Sequence, residues 1–180
     1  MIKLPSTEKC FELMDKYDMP EHIKSHSFKV RDISVLLAKE LNEKGEELNV
    51  ELVEVSALLH DIAKIKCIKS GGHDKAGAEI LRNMGYDRVA DIVEQHVDLW
   101  KDYEKITEED IVNYSDKRVM HDKIVSLSER FEDIEERYIS TNRATSEQIN
   151  FTKQQTYRLE KKIFKNLDFS PDDLIRLLEK

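Results

Sequence analysis

His60 and Asp61 are adjacent in this chain, and the pair follows Leu59 directly in an apolar stretch. His26 sits four residues before Val30, and His96 four after Ile92, so helical spacing turns both inward. Asp116 stands four after Val112, and His73 opens the segment behind Gly71-Gly72. A buried Asp is rare unless it is paired or holds a metal. Two inward Asp and three or four inward His therefore need partners. Separate hydrogen bonds would satisfy any one histidine in a core. The whole set favours a divalent transition metal, because imidazole nitrogen and carboxylate oxygen together suit such ions. Fe, Mn, Zn, Co and Ni all fit these donors, with Mg as the runner-up.

The elements that must carry these groups read as helices almost throughout. Pro20 can open one at its first turn, and Val30, Ile33, Leu37 and Leu41 mark its apolar stripe. A polar break around Gly45 precedes a second stripe, Leu52, Val55, Leu59 and Ile62. Ile80, Leu81 and Met84 follow Gly71-Gly72 and end at Gly85, and Val89, Ile92, Val93 and Val97 mark the next helix. Thr107 with Asp110 and Ser126 with Glu129 have capping-box spacing, and Ser170-Pro171-Asp172-Asp173 announces a last short helix. No alternating strand pattern stands out. The expectation is an all-α bundle of eight or nine helices: residues 1–19 a helix packing on the core, 20–125 the domain with the site, and 126–180 a C-terminal helical extension. That extension is part of the same globule, or a lid or association element, which leaves a homodimer open.

In this order, His26, His60-Asp61 and Asp116 resemble the metal-dependent phosphohydrolases of the HD-domain superfamily. The strings SHSFKVRDISVLLAKEL around His26, ALLHDIAK around His60-Asp61 and YSDK around Asp116 carry the resemblance. HDKAGAEIL from His73 and EQHVDL around His96 are similar to the two extra histidine motifs of a subgroup with dinuclear-iron members. The match covers about residues 20–120. Past Asp116 the chain reads DKRVMHDKIVSLSERF, unlike the symmetrical diadenosine tetraphosphate hydrolases of that subgroup.

The resemblance implies an HD-domain helical bundle in which His26, His60, Asp61 and Asp116 hold a first metal. Asp61 then bridges to a second held by His73 and His96; with one metal, these two histidines line the phosphate pocket and shuttle protons. A metal-bound water of lowered pKa is the implied nucleophile on phosphorus. Asp61 and Lys64 are the candidate catalytic residues. Lys64, four after His60 and three after Asp61, shares their helical face and would meet substrate phosphate as a point charge, or is a solvated surface Lys. Lys117 and Arg118, next to Asp116, either reach that phosphate too or form solvated ion pairs. Trp100 and Tyr103 are packing aromatics or stack on a base, Arg130 approaches the pocket or pairs on the surface, and His22 and His121 lie outside the motif. Cys67 reads as structural.

The expected activity is hydrolysis of a phosphoester or phosphoanhydride in a small molecule, a nucleotide first. A catalytically silent HD-fold regulatory or nucleotide-binding module is the alternative, and a di-iron oxygenase ranks below it. Composition bounds the partners. With 29 Lys+Arg against 37 Asp+Glu the formal net charge is −8, which disfavours extended nucleic acid. That charge is uneven: Glu40 to Glu54 holds six acids against one Lys, whereas Ile62 to Lys75 holds four Lys against Asp74. One cationic pocket for a small phosphate is compatible with that distribution. No apolar run suggests a membrane span, the N-terminus lacks a signal-peptide pattern, and two cysteines, Cys10 and Cys67, suit a reducing cytoplasm.

Overall fold

The computed structural model describes residues 2–68, 70–99, 104–140 and 144–179. Trp100 and Tyr103, with the stacking considered for them, lie outside these residues, as does Lys69. The described helices are α1 (Thr7–Lys16), α2 (Glu21–Glu43), α3 (Val50–Leu59), α4 (His73–Arg82), α5 (Asp87–Glu94), α6 (Glu108–Lys117), α7 (Leu127–Ser140), α8 (Ser146–Phe164) and α9 (Asp173–Leu178).

Local chemistry explains most of their ends. The Ser6 hydroxyl accepts from Lys9 N, and the Asn49 amide oxygen from Leu52 N. Thr107 and Asp110 close a reciprocal capping box, as their spacing predicts. Thr145 and Gln148 form a second one, unanticipated, at the start of α8. Ser126 and Glu129 exchange bonds at the start of α7, and the Asp173 carboxylate accepts from Ser170 ahead of α9. Asn42 bonds both the N–H and the C=O of Leu48, which closes the loop around Gly45.

The anticipated stripes form the core. Val30, Ile33, Leu37 and Leu41 of α2 are buried against Leu52, Val55 and Leu59 of α3, and α6 packs on α2 and α3. Helices α4 and α5 pair and meet this layer through α5, while α8 packs on α6 and α7, and α9 on α2. A Cβ on Gly77 of α4 would come within 3.1 Å of Val93 Cγ1 and 3.3 Å of Ile62 Cγ2. Glycine lets α4, which begins with His73, sit that close without displacing either side chain.

One element departs from the all-helical expectation. Val119–Met120 (β1) and Lys123–Ile124 (β2) pair antiparallel around the turn His121-Asp122. His121 takes φ +58°, a left-handed conformation that His tolerates better than most non-glycine residues. Two residues per strand are too short to show an alternating pattern. Cys10 and Cys67 are free thiols. Among the described residues, no helix is long and apolar enough to cross a membrane.

Candidate metal centre

His60 and Asp61 do not lie inside a helix: α3 ends at Leu59 and His60 is its C-cap. His96 likewise stands two residues past the end of α5. At each end the imidazole does the same work. His60 Nδ1 donates to Ala57 O at 2.7 Å, and His96 Nδ1 to Val93 O at 2.6 Å. Each ring caps a carbonyl near the C-terminal end of its helix, Val93 O also accepting from His96 N at 3.4 Å. His26, on α2, donates Nδ1 to the carbonyl of His121 at 3.0 Å. A carbonyl can only accept, so the proton sits on Nδ1 in all three rings. Their neutral forms then present a lone pair at Nε2.

Those lone pairs converge on two carboxylates. His26 Nε2 lies 3.0 Å from Asp116 Oδ1, and His60 Nε2 lies 3.6 Å from that oxygen and 3.4 Å from Asp61 Oδ2. The other oxygen of Asp61 faces a second pair: His73 Nε2 at 3.3 Å and His96 Nε2 at 3.7 Å, with these two nitrogens 3.0 Å apart. Asp61 thus has His26, His60 and Asp116 on one side and His73 and His96 on the other. All six groups singled out in the sequence are brought together.

Lone pair against lone pair at such distances repels unless something positive stands between. His60 Nε2 and Asp61 Oδ1 are buried with no hydrogen-bond partner. Two donors on one ion with bonds of about 2.1 Å lie roughly 3 to 3.5 Å apart, close to the separations here. Clusters suited to a metal ion include His26, His60 and Asp116, and His60, Asp61 and His96, all buried. The donor set fits a divalent cation on chemistry and on geometry alike.

Without a cation, protons must supply the positive charge. Burial opposes a charged His60, but the carboxylates of Asp61 and Asp116 outweigh it and push the ring up to about 10. Burial would raise Asp61 as well; the His60 and Lys64 charges beside it hold it well below the usual carboxylate range. Burial, reinforced by the His60 charge, keeps His96 neutral.

Lys64 sits at the cluster's edge, Nζ 2.6 Å from Asp61 Oδ2, with its side chain 38% exposed. Lys117 and Arg118, read as phosphate contacts or solvated ion pairs, are both buried, and of the two Lys117 alone lines the cavity that opens on the cluster. Lys117 is buried, and its ammonium donates to His96 O and Val97 O at 2.5 and 3.1 Å. Asn113, one turn earlier on α6, donates to Gln95 O and His96 O at 2.9 and 3.0 Å. Together they hold the His96 segment in place. Arg118 is 1% exposed and turns the other way. Its guanidinium donates to Val125 O, Tyr114 Oη, Glu160 Oε2 and Pro171 O, none of them in the cavity lining. Asn113 escaped the sequence reading; an amide at i−4 from Lys117 was its only signal.

A cavity of about 700 Å³ opens on this cluster. Its lining includes Asp61, Asp116, His73, His96, Lys64 and Lys117, the segment Val97, Asp98 and Leu99 that follows His96, Ala144, and residues of α7 and α8, Arg130 among them. Arg130 does approach the site, with Nη1 3.0 Å from Asp133.

Comparison with known proteins matches residues 23–121 to the HD domain. The chain is 35% identical over 95 residues to a tRNA (cytidine(56)-2'-O)-methyltransferase of Thermoplasma volcanium; the match covers 52% of this chain but 26% of that protein. It is 33% identical over 132 residues to an uncharacterized protein of Methanocaldococcus jannaschii, covering 65% of this chain and 78% of the relative. No solved structure matches significantly.

Proposed function

Because this chain belongs to the HD domain family, we propose that it is a metal-dependent phosphohydrolase acting on a phosphoester or phosphoanhydride of a small molecule, with nucleotides as the substrate class. The observation that carries the proposal is Asp61, whose two carboxylate oxygens face separate sets of histidine nitrogens across 3.3 to 4.0 Å. His26, His60, Asp61 and Asp116 would hold one divalent cation, and Asp61, His73 and His96 a second. Bound there, such cations acidify a coordinated water and neutralise charge on the phosphoryl oxygens.

The chain's own residues do the rest. The carbonyls of Ala57, Val93 and His121 fix the three imidazole tautomers, so no rearrangement precedes loading. Lys64 gives its ammonium to a phosphate oxygen once a cation replaces it on Asp61. Buried walls exclude water from the reacting end, which strengthens every one of these charge interactions. The 3.0 Å approach of His73 to His96 supports a dinuclear site over one metal with a histidine proton shuttle.

Metal analysis of the purified protein, with a screen of nucleotides and generic phosphoesters, tests this reading. Asp61→Ala should lose both ions and all hydrolysis. His73→Ala should lose one ion and keep the other. Full activity in Asp61→Ala or His60→Ala overturns the assignment, and ligand binding without phosphate release would favour a silent regulatory module.

A further inference from the structure

The cavity has a second end that the metal chemistry leaves unexplained. Residues of α7 and α8 line it, with Ala144 just ahead of α8. Arg130, Ile134 and Tyr138 recur at four-residue spacing on α7, and Gln148, Thr152 and Gln155 at four and three on α8, so each helix turns one face to the cavity. Phe151, also in the wall, is 63% exposed, an aromatic face left in water. Gln155 and the Thr152 hydroxyl have no hydrogen-bond partner among the described residues. Gln148 commits only its Oε1, to Thr145 N. Near the charged end, Arg130 is mostly buried, and its Nε has no partner.

We propose that α7 and α8 form the substrate-recognition half of the site: Arg130 receives the phosphate together with Lys64, and Phe151, Gln148, Thr152 and Gln155 bind a nucleobase. Aromatic rings take a planar π-face, and amides offer a donor and an acceptor side by side, the pattern of a base edge. A bare sugar phosphate would leave the aromatic faces unused. The volume is that of an ordinary small-molecule site, ample for a nucleotide. The inference rests on the phosphohydrolase reading for its phosphate, but its base-recognition half can fail or stand separately.

The test compares wild type with Phe151→Ala and Gln155→Ala, exposed positions at which folding should be spared. Metal-loaded protein is assayed on a panel of ribo- and deoxyribonucleoside 5′-monophosphates and on p-nitrophenyl phosphate. Isothermal titration with the same nucleotides runs in parallel. The ratio of kcat/KM for the preferred nucleotide to that for p-nitrophenyl phosphate should fall roughly tenfold in each variant, through KM. Arg130→Gln should raise KM for both substrates. An unchanged ratio overturns the inference and leaves the phosphohydrolase reading standing. Nucleotide binding weakened by the variants in a protein that hydrolyses nothing keeps the inference and removes that reading. Absence of nucleotide binding by wild type overturns the inference outright.

Discussion

Three imidazoles in this site donate Nδ1 to backbone carbonyls and leave Nε2 to a buried carboxylate pair, so the charge balance there depends on what occupies the cluster. In metal-free protein the balance falls on His60, pushed up to about 10 from an ordinary value of 6.5 by Asp61 and Asp116 against the opposing effect of burial. A group raised on folding stabilises fully below its unfolded value and loses that contribution as pH rises through its folded one. Thermal melts in the presence of a chelator should therefore show stability declining from about pH 6.5 to about pH 10. Saturating divalent metal should remove the decline, because the bound ring is neutral throughout. Parallel curves with and without metal would contradict this account. At the same scale, residue identity was a good guide to the six converging groups but did not separate Lys117, which lines the cavity, from Arg118, which does not. Neighbours of Asp116 in sequence, they are turned by α6 toward different carbonyls, and only packing decides which way a cation on a buried helix points.

Helix ends, more than helix faces, position the site. His60 and His96 lie just beyond α3 and α5, whose last carbonyls their rings satisfy, and Asp116 stands in the last turn of α6. The negative ends of three helix dipoles thus meet where a cation would bind. Apolar periodicity predicted the stripes but ran through Ile62, because it cannot see a helix stop when the residues beyond the stop are also buried. The close seat of α4 is an element-scale dependence. Gly77→Ala should force α4 away from Val93 and Ile62, cost about 1–3 kcal/mol as overpacking does, and lower occupancy at the His73 side before the His26 side. Denaturant unfolding and metal stoichiometry on the same sample check both parts. Equal loss of both ions would show that the displacement does not act through His73.

Across the whole molecule, the C-terminal helices are tied to the site-bearing helix by polar contacts. Tyr114 Oη donates to Glu160 Oε2 at 2.7 Å, Arg118 reaches the same oxygen, and Lys162 Nζ meets the buried Asp110 at 2.8 Å. Helix α8 is thereby held on α6, which carries Asp116, while its other face lines the cavity. Glu160→Ala leaves a buried guanidinium and phenol without their carboxylate and should cost about 2 kcal/mol in denaturant unfolding. It should also weaken substrate binding, since α8 then loosens over the cavity. Lost stability with an unchanged KM would mean that the clamp is structural alone. The net charge of −8 is a sum over the whole chain, buried groups included. It says little about a cavity whose lining holds Lys64, Lys117 and Arg130 with Asp61, Asp98 and Asp116 beside the histidines.

The amino-acid sequence by itself determined the helical class, most helix starts and the six His and Asp groups of the cluster. Each of these rests on relations over a few residues: apolar spacing, capping pairs and unusual inward polar types. Tertiary structure alone decided that the two oxygens of Asp61 serve separate sets of histidines and that Arg118 leaves the site for Glu160. It alone set α7 and α8 opposite the cluster as the cavity's far wall. These are contacts between segments tens of residues apart, and no local spacing encodes which distant side chain fills the space before a given atom.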